Sequence, residues 1–138
     1  MKKLAYICLL AVITISACNK KEAIENKVGV SLPPVTNLAI EKLAEPDVKL
    51  TWTNPTGIPS EIAQPLKIFI EVKEVMGVMQ SITILSTTLE NAPTEFTYAI
   101  PDVNKKYLFT VKTNGTANFT DVRYSNNIFS LGQSVSYN

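Results

Sequence analysis

Two thiols, Cys8 and Cys18, and no histidine at all limit the chemistry open to this chain of 138 residues. Without histidine the commonest general base and metal ligand is missing, and the usual serine triad cannot be assembled. A serine–lysine pair at Ser-x-x-Lys spacing does not occur. Carboxylates are scattered as Glu61, Glu71, Glu74, Glu90, Glu95, Asp102 and Asp121. Glycoside cleavage needs two of them across one cleft, and no spacing here brings two together. Composition therefore points away from an enzyme, and it implies neither a metal nor a cofactor. The reactive group in a distinctive setting is Cys18, which follows Ile15-Ser16-Ala17 directly.

That setting is an N-terminal leader. Lys2 and Lys3 are a short positive region, and Leu4 to Ile15 is apolar apart from Thr14. A dozen apolar residues fall short of the roughly 20 that a membrane-spanning helix needs. A charged start, a short apolar run and small residues at Ser16 and Ala17 fit a cleaved secretory leader over 1–17. Cys8 lies inside it, so the chain from residue 18 onward has a single thiol and no disulfide. About 100 residues can bury a sufficient core without one.

The stretch Ile15-Ser16-Ala17-Cys18 resembles the lipobox of bacterial lipoproteins, in which cleavage precedes the cysteine and that cysteine carries lipid. The resemblance implies lipidation at Cys18 and stable attachment, since several acyl chains hold where one holds marginally. In the Gram-negative family an aspartate after the cysteine favours the inner membrane. Asn19 stands there instead, which implies the outer membrane, with its surface or periplasmic side left open. Residues 18–32 are polar and without apolar periodicity, and read as a lipidated N-terminus and flexible tether.

From Pro33 to the end, residues 33–138, the pattern changes to one β domain. The chain carries 13 basic and 12 acidic residues, and loss of Lys2 and Lys3 with the leader leaves 11 against 12. No basic stripe is present, so nucleic acid is not an expected partner. Val35 to Ile40 reads as a first strand, and Glu45-Pro46-Asp47 as a turn. Val48, Leu50 and Trp52 alternate with Lys49, Thr51 and Thr53, which predicts a half-buried strand. Gly57 to Pro65 reads as a loop. Leu66 to Val75 places Ile68, Ile70 and Val72 on one face, with Phe69 on the sheet surface. Met76 to Met79 is a hairpin turn, and Ser81 to Thr88 returns as a strand. Thr94 to Ile100 follows, with Phe96, Tyr98 and Ile100 in register. Tyr107, Phe109, Val111 and Thr113 form the next buried row, Asn114 to Asp121 reads as a polar loop, and Val122 to Val135 is the last strand, with Gly132 as a point of interruption. No stretch has helical spacing. About seven strands at short, regular intervals predict an all-β, antiparallel β-sandwich.

Several of these stretches resemble the fibronectin type III family. Pro34-Val35-Thr36-Asn37-Leu38 is similar to its opening strand, and Val48-Lys49-Leu50-Thr51-Trp52 with Pro55 to its second strand and core tryptophan. Tyr107 to Thr113 is similar to the sixth strand, which begins at the tyrosine corner, and Ser125-Asn126 to the opening of the last. The likeness covers about Pro33 to Ser130. One departure is that Pro101 to Tyr107 gives a shorter turn than the family's corner, so formation of the corner hydrogen bond is left open. The resemblance implies that the loops 54–64 and 114–123 share a pole with the domain's N-terminus. The Met76–Met79 hairpin then lies at the other end.

Candidate contact residues follow from that geometry. Met76, Val78 and Met79 are an apolar tip suited to adaptable protein contacts, or else fold onto their own sheet. Phe119, Tyr124 and Tyr137 could stack on a sugar face, or else cap the end of the sandwich. The expected role is a binding module with a glycan or protein ligand, or an accessory subunit of an envelope complex. The alternative is a spacer with no ligand.

Overall fold

The computed structural model describes residues 29–118 and 125–138. Residues 1–28, which include the expected leader over 1–17 and Cys18, lie outside the described residues, as do Phe119 and Tyr124. Eight strands run in the order β1 (Thr36–Lys42), β2 (Asp47–Thr53), β3 (Lys67–Val75), β4 (Ser81–Leu89), β5 (Glu95–Ala99), β6 (Lys106–Thr116), β7 (Asn127–Phe129) and β8 (Gln133–Tyr137). They form two antiparallel sheets, one ordered β1-β2-β5 and the other β4-β3-β6-β7, with β8 also paired to β6. The expected sandwich is therefore present, with a final strand that breaks where Gly132 suggested. β7 pairs with the far end of β6 and β8 with its near end. Gly132 lies in the gap between them, where a Cβ would come within 2.6 Å of Thr110 Cγ2.

The core lies between the sheets and is built from the period-two rows. Val48, Leu50 and Trp52 of β2 face Ile68, Ile70 and Val72 of β3 and Tyr107, Phe109 and Val111 of β6, all buried. Each such side chain contributes roughly 1.5–3 kcal/mol of burial free energy. Phe69 stands on the outer sheet surface as expected, edge-on to Phe129 at 5.4 Å. Tyr107 is fully buried and its hydroxyl accepts the Asp102 N–H at 3.2 Å, so the corner hydrogen bond forms across the shorter turn.

Two boundaries differ from the sequence reading. β6 continues through Asn114, Gly115 and Thr116, the start of the expected polar loop. Polar composition was misleading there, because backbone pairing with Lys67 on one side and with β7 on the other holds these residues in the sheet. At the other end, Leu32 of the expected tether is buried with Ile62, Leu66 and Ala117 in a second, smaller cluster that Val30 also touches. Ile62 belongs to the expected loop 57–65, yet it is 3% exposed and forms a bridge with Ala117. Ala63 N donates to Thr116 O at 2.8 Å and Asn118 N to Glu61 O at 2.9 Å. The loops after β2 and after β6 are thus stitched together at the N-terminal pole.

Candidate functional site

The β3–β4 hairpin is the feature that the fold leaves open. β3 starts at Lys67, opposite Asn114, and ends at Val75, opposite Lys106. Its start therefore lies at the N-terminal pole, and the hairpin turn lies at the other. Met76 N donates to Gln80 O at 2.9 Å and closes the turn. Below it, Lys105 Nζ meets Glu74 Oε1 at 2.8 Å, which braces the end of β3 against the turn before β6. That hydrogen bond and the Glu74 charge raise the Lys105 pKa above its ordinary value. On the other sheet, Lys49 is raised likewise by its hydrogen bond to Glu95 and that carboxylate's charge.

The tip does not fold back onto its sheet. Val78 is 104% exposed and Met79 96%, with Met76 at 58%. Val75 and Ile82, on the two strands beneath, are also exposed apolar residues. From Val75 to Leu89 no residue is charged. This arrangement can do no covalent chemistry. It is an apolar knob at the end of a paired hairpin, and thioether side chains of this kind adapt to an apolar partner surface.

The other sequence candidates part company. Met76 and Met79 are brought together in the tip. Tyr137 is buried against Tyr107, with ring centroids 6.2 Å apart, and Lys42 Nζ lies 4.4 Å from its ring centre. It is core and offers no stacking surface. Four of the described carboxylates meet lysines: Glu71 with Lys73, Glu74 with Lys105, Glu90 with Lys67 and Glu95 with Lys49. Among the described residues no cluster of three metal-ligating side chains occurs, and no helix is long and apolar enough to cross a membrane.

A second feature escaped the sequence reading. Trp52 Nε1 donates to Asn54 Oδ1 at 3.1 Å and to Pro93 O at 2.9 Å, while Asn54 Nδ2 donates to Ala92 O at 2.6 Å. Asn54 sits two residues beyond the core tryptophan, and its amide locks the 91–93 turn onto the sandwich. There Asn91 and Ala92 both take the left-handed conformation, at φ 62° and 45°. Asn54 looked like turn chemistry alone, and nothing local in the sequence signals a partner 38 residues on.

Three strands against a larger sheet, the core tryptophan on β2 and a tyrosine corner on β6 define a fibronectin type III-like β-sandwich. Solved structures agree on the fold. The chain is similar to a β-sandwich protein from a computer-based redesign, at 17% identity and TM-score 0.50, over 77% of this chain and 88% of that one. It is also similar to titin kinase with its flanking domains, at 14% identity and TM-score 0.51, over 77% of this chain and 16% of that one. An FN3 domain of human collagen XX gives 16% identity and TM-score 0.47, over 78% and 95% of the two chains. At these identities the first two likenesses speak to fold alone. No protein of curated function matches. The chain belongs to the family described as "Domain of unknown function (DUF4945)", which matches residues 18–137.

Proposed function

We propose that this chain is a lipid-anchored, non-catalytic binding module of the bacterial envelope, held through Cys18 at the outer membrane and docking a protein with its β3–β4 tip. The observation that carries the docking half is the tip itself. Its apolar side chains are open to solvent at the pole away from the N-terminus. A domain of this kind that served only as a spacer would have no use for an uncharged, protruding knob. The anchoring half rests on the leader, and the family match begins at Cys18, the residue that would become the new N-terminus. A glycan ligand taken by Phe119 and Tyr124 is the second reading. Tyr137, the third aromatic considered for it, is in the core.

The experiment places a photo-cross-linking residue at Val78 in cells, with Glu41 as the control position on β1. A discrete adduct from Val78, absent at Glu41 and lost on Met79→Asp, is expected. Met79→Asp touches only an exposed site, so stability changes by less than about 0.5 kcal/mol. No adduct from Val78 would return the domain to the spacer reading. In the same cells Cys18→Ser should move the protein from the membrane fraction to the soluble one. Unchanged membrane retention would refute the lipid anchor and leave the tip reading standing.

A further inference from the structure

β4 is the edge of the five-stranded sheet, hydrogen-bonded to β3 on one side only. Its nine residues, Ser81 to Leu89, include no charge, no proline and no glycine. An edge strand exposes every second N–H and C=O, and proteins ordinarily blunt such edges with charge, proline or a cover. Among the described strands the other sheet edges are shorter or carry charge, and β7 and β8, at the opposite margin of the same sheet, are only three and five residues long. β1 carries Glu41 and Lys42, and it lies beside β8, where Lys42 Nζ donates to Asn138 O at 2.9 Å. β5 is only five residues long and carries Glu95. On β4 the one such device is a bulge at Ile84, where the register with β3 shifts between Val72 and Lys73. Ile82 stays exposed, and Ile84, Leu85 and Leu89 are only partly buried along the same margin.

We infer that β4 pairs with β4 of a second copy of this chain across a two-fold axis, joining two five-stranded sheets into one. The chemistry of the edge specifies another strand as its occupant, since only an extended backbone supplies matching donors and acceptors. Absence of charge suits the same strand as that partner. A two-fold axis sets residues near the strand centre against their own copies, and like charges opposite one another destabilise a sheet. β4 carries none. Such a pair is necessarily antiparallel, which gives equal lengths in contact and covers Ile82, Ile84 and Leu85 on both chains. The two tips then lie at opposite ends of the joined sheet. This pairing goes beyond tip docking and does not depend on it.

The test is cross-linking of the full chain in its own membranes with a bismaleimide of about 20 Å reach, because an axis near the strand centre leaves the two copies of residue 88 about 13–20 Å apart. Thr88→Cys, on exposed β4 surface, is expected to give a dimer of twice the chain mass. Glu41→Cys, which carries the same Cys8 and Cys18 background, is expected to give none. Adding Ser86→Lys to the Thr88→Cys chain places like charges close to the axis, and the dimer should fall to the Glu41→Cys level. Ser86 lies opposite Glu71, so the new lysine gains an acidic neighbour and the fold is preserved, which unchanged Trp52 fluorescence checks. Three results would overturn the inference. They are a Thr88→Cys chain that stays monomeric, an adduct of some other mass, and a dimer that survives Ser86→Lys.

Discussion

Gly115→Ala is the sharpest perturbation of the N-terminal pole. A Cβ at residue 115 would lie 2.6 Å from Ile62 Cγ2, 3.1 Å from Leu32 Cδ1 and 3.3 Å from Leu66 Cδ2. The first distance is well inside contact, and the atom belongs to a β-branched side chain with little rotameric freedom. Overpacking of this kind costs about 1–3 kcal/mol. Alanine returns roughly 0.5–1 kcal/mol, because glycine loses more backbone freedom in a strand. The net expectation is a loss of about 1–2 kcal/mol, or roughly 4–10 °C in Tm for a domain near this size. Urea unfolding followed by Trp52 fluorescence measures it. Ile62→Ala alone should cost about 2–5 kcal/mol by leaving a cavity. In the double variant the methyl added at position 115 occupies part of that cavity, so the combined loss should fall short of the sum by about 1 kcal/mol. A Gly115→Ala chain as stable as the parent would refute the close approach of the two loops. Strict additivity would show that Ile62 is not what the methyl meets.

Two further predictions concern the latch and the alkaline limit. Asn54→Ala removes the bonds to Trp52 Nε1 and Ala92 O but leaves Trp52 its bond to Pro93 O, so a loss of about 1–2 kcal/mol is expected, with a shift in emission of the single tryptophan; no change in either would mean that the amide is replaceable by water. Burial raises the pKa of Tyr98, and hydrogen bonding with charge raises those of Lys105 and Lys49, above their ordinary values. A raised folded-state pKa gives stability that is intact below the unfolded value and lost as pH climbs through the folded one. Denaturant midpoints should therefore be flat from these three groups near neutrality and fall above about pH 10, less steeply in Tyr98→Phe. An unchanged slope in that variant would remove Tyr98 from the alkaline transition.

Much of the sandwich was legible because its strands are half-buried. Alternation in Val48-Leu50-Trp52, in Ile68-Ile70-Val72 and in Tyr107-Phe109-Val111-Thr113 states which face turns inward before any partner is known. The end of β6 was illegible for the complementary reason. Asn114, Gly115 and Thr116 are turn-forming types, and only the strands on either side hold them extended. Leu32 was hidden among polar neighbours, with no local partner to mark it. Charge silence from Val75 to Leu89 was visible in the sequence, but its meaning depended on β4 being an edge.

By itself, then, the amino-acid order determined the sheet faces and the absence of histidine-based chemistry, because each is a property of neighbouring residues or of composition. Tertiary structure alone decided that Met76, Val78 and Met79 stand clear of the sheet, that Tyr137 is core, and that Asn54 reaches Ala92. Those outcomes depend on which strands pair and which poles meet, and the contacts responsible join residues far apart in the chain.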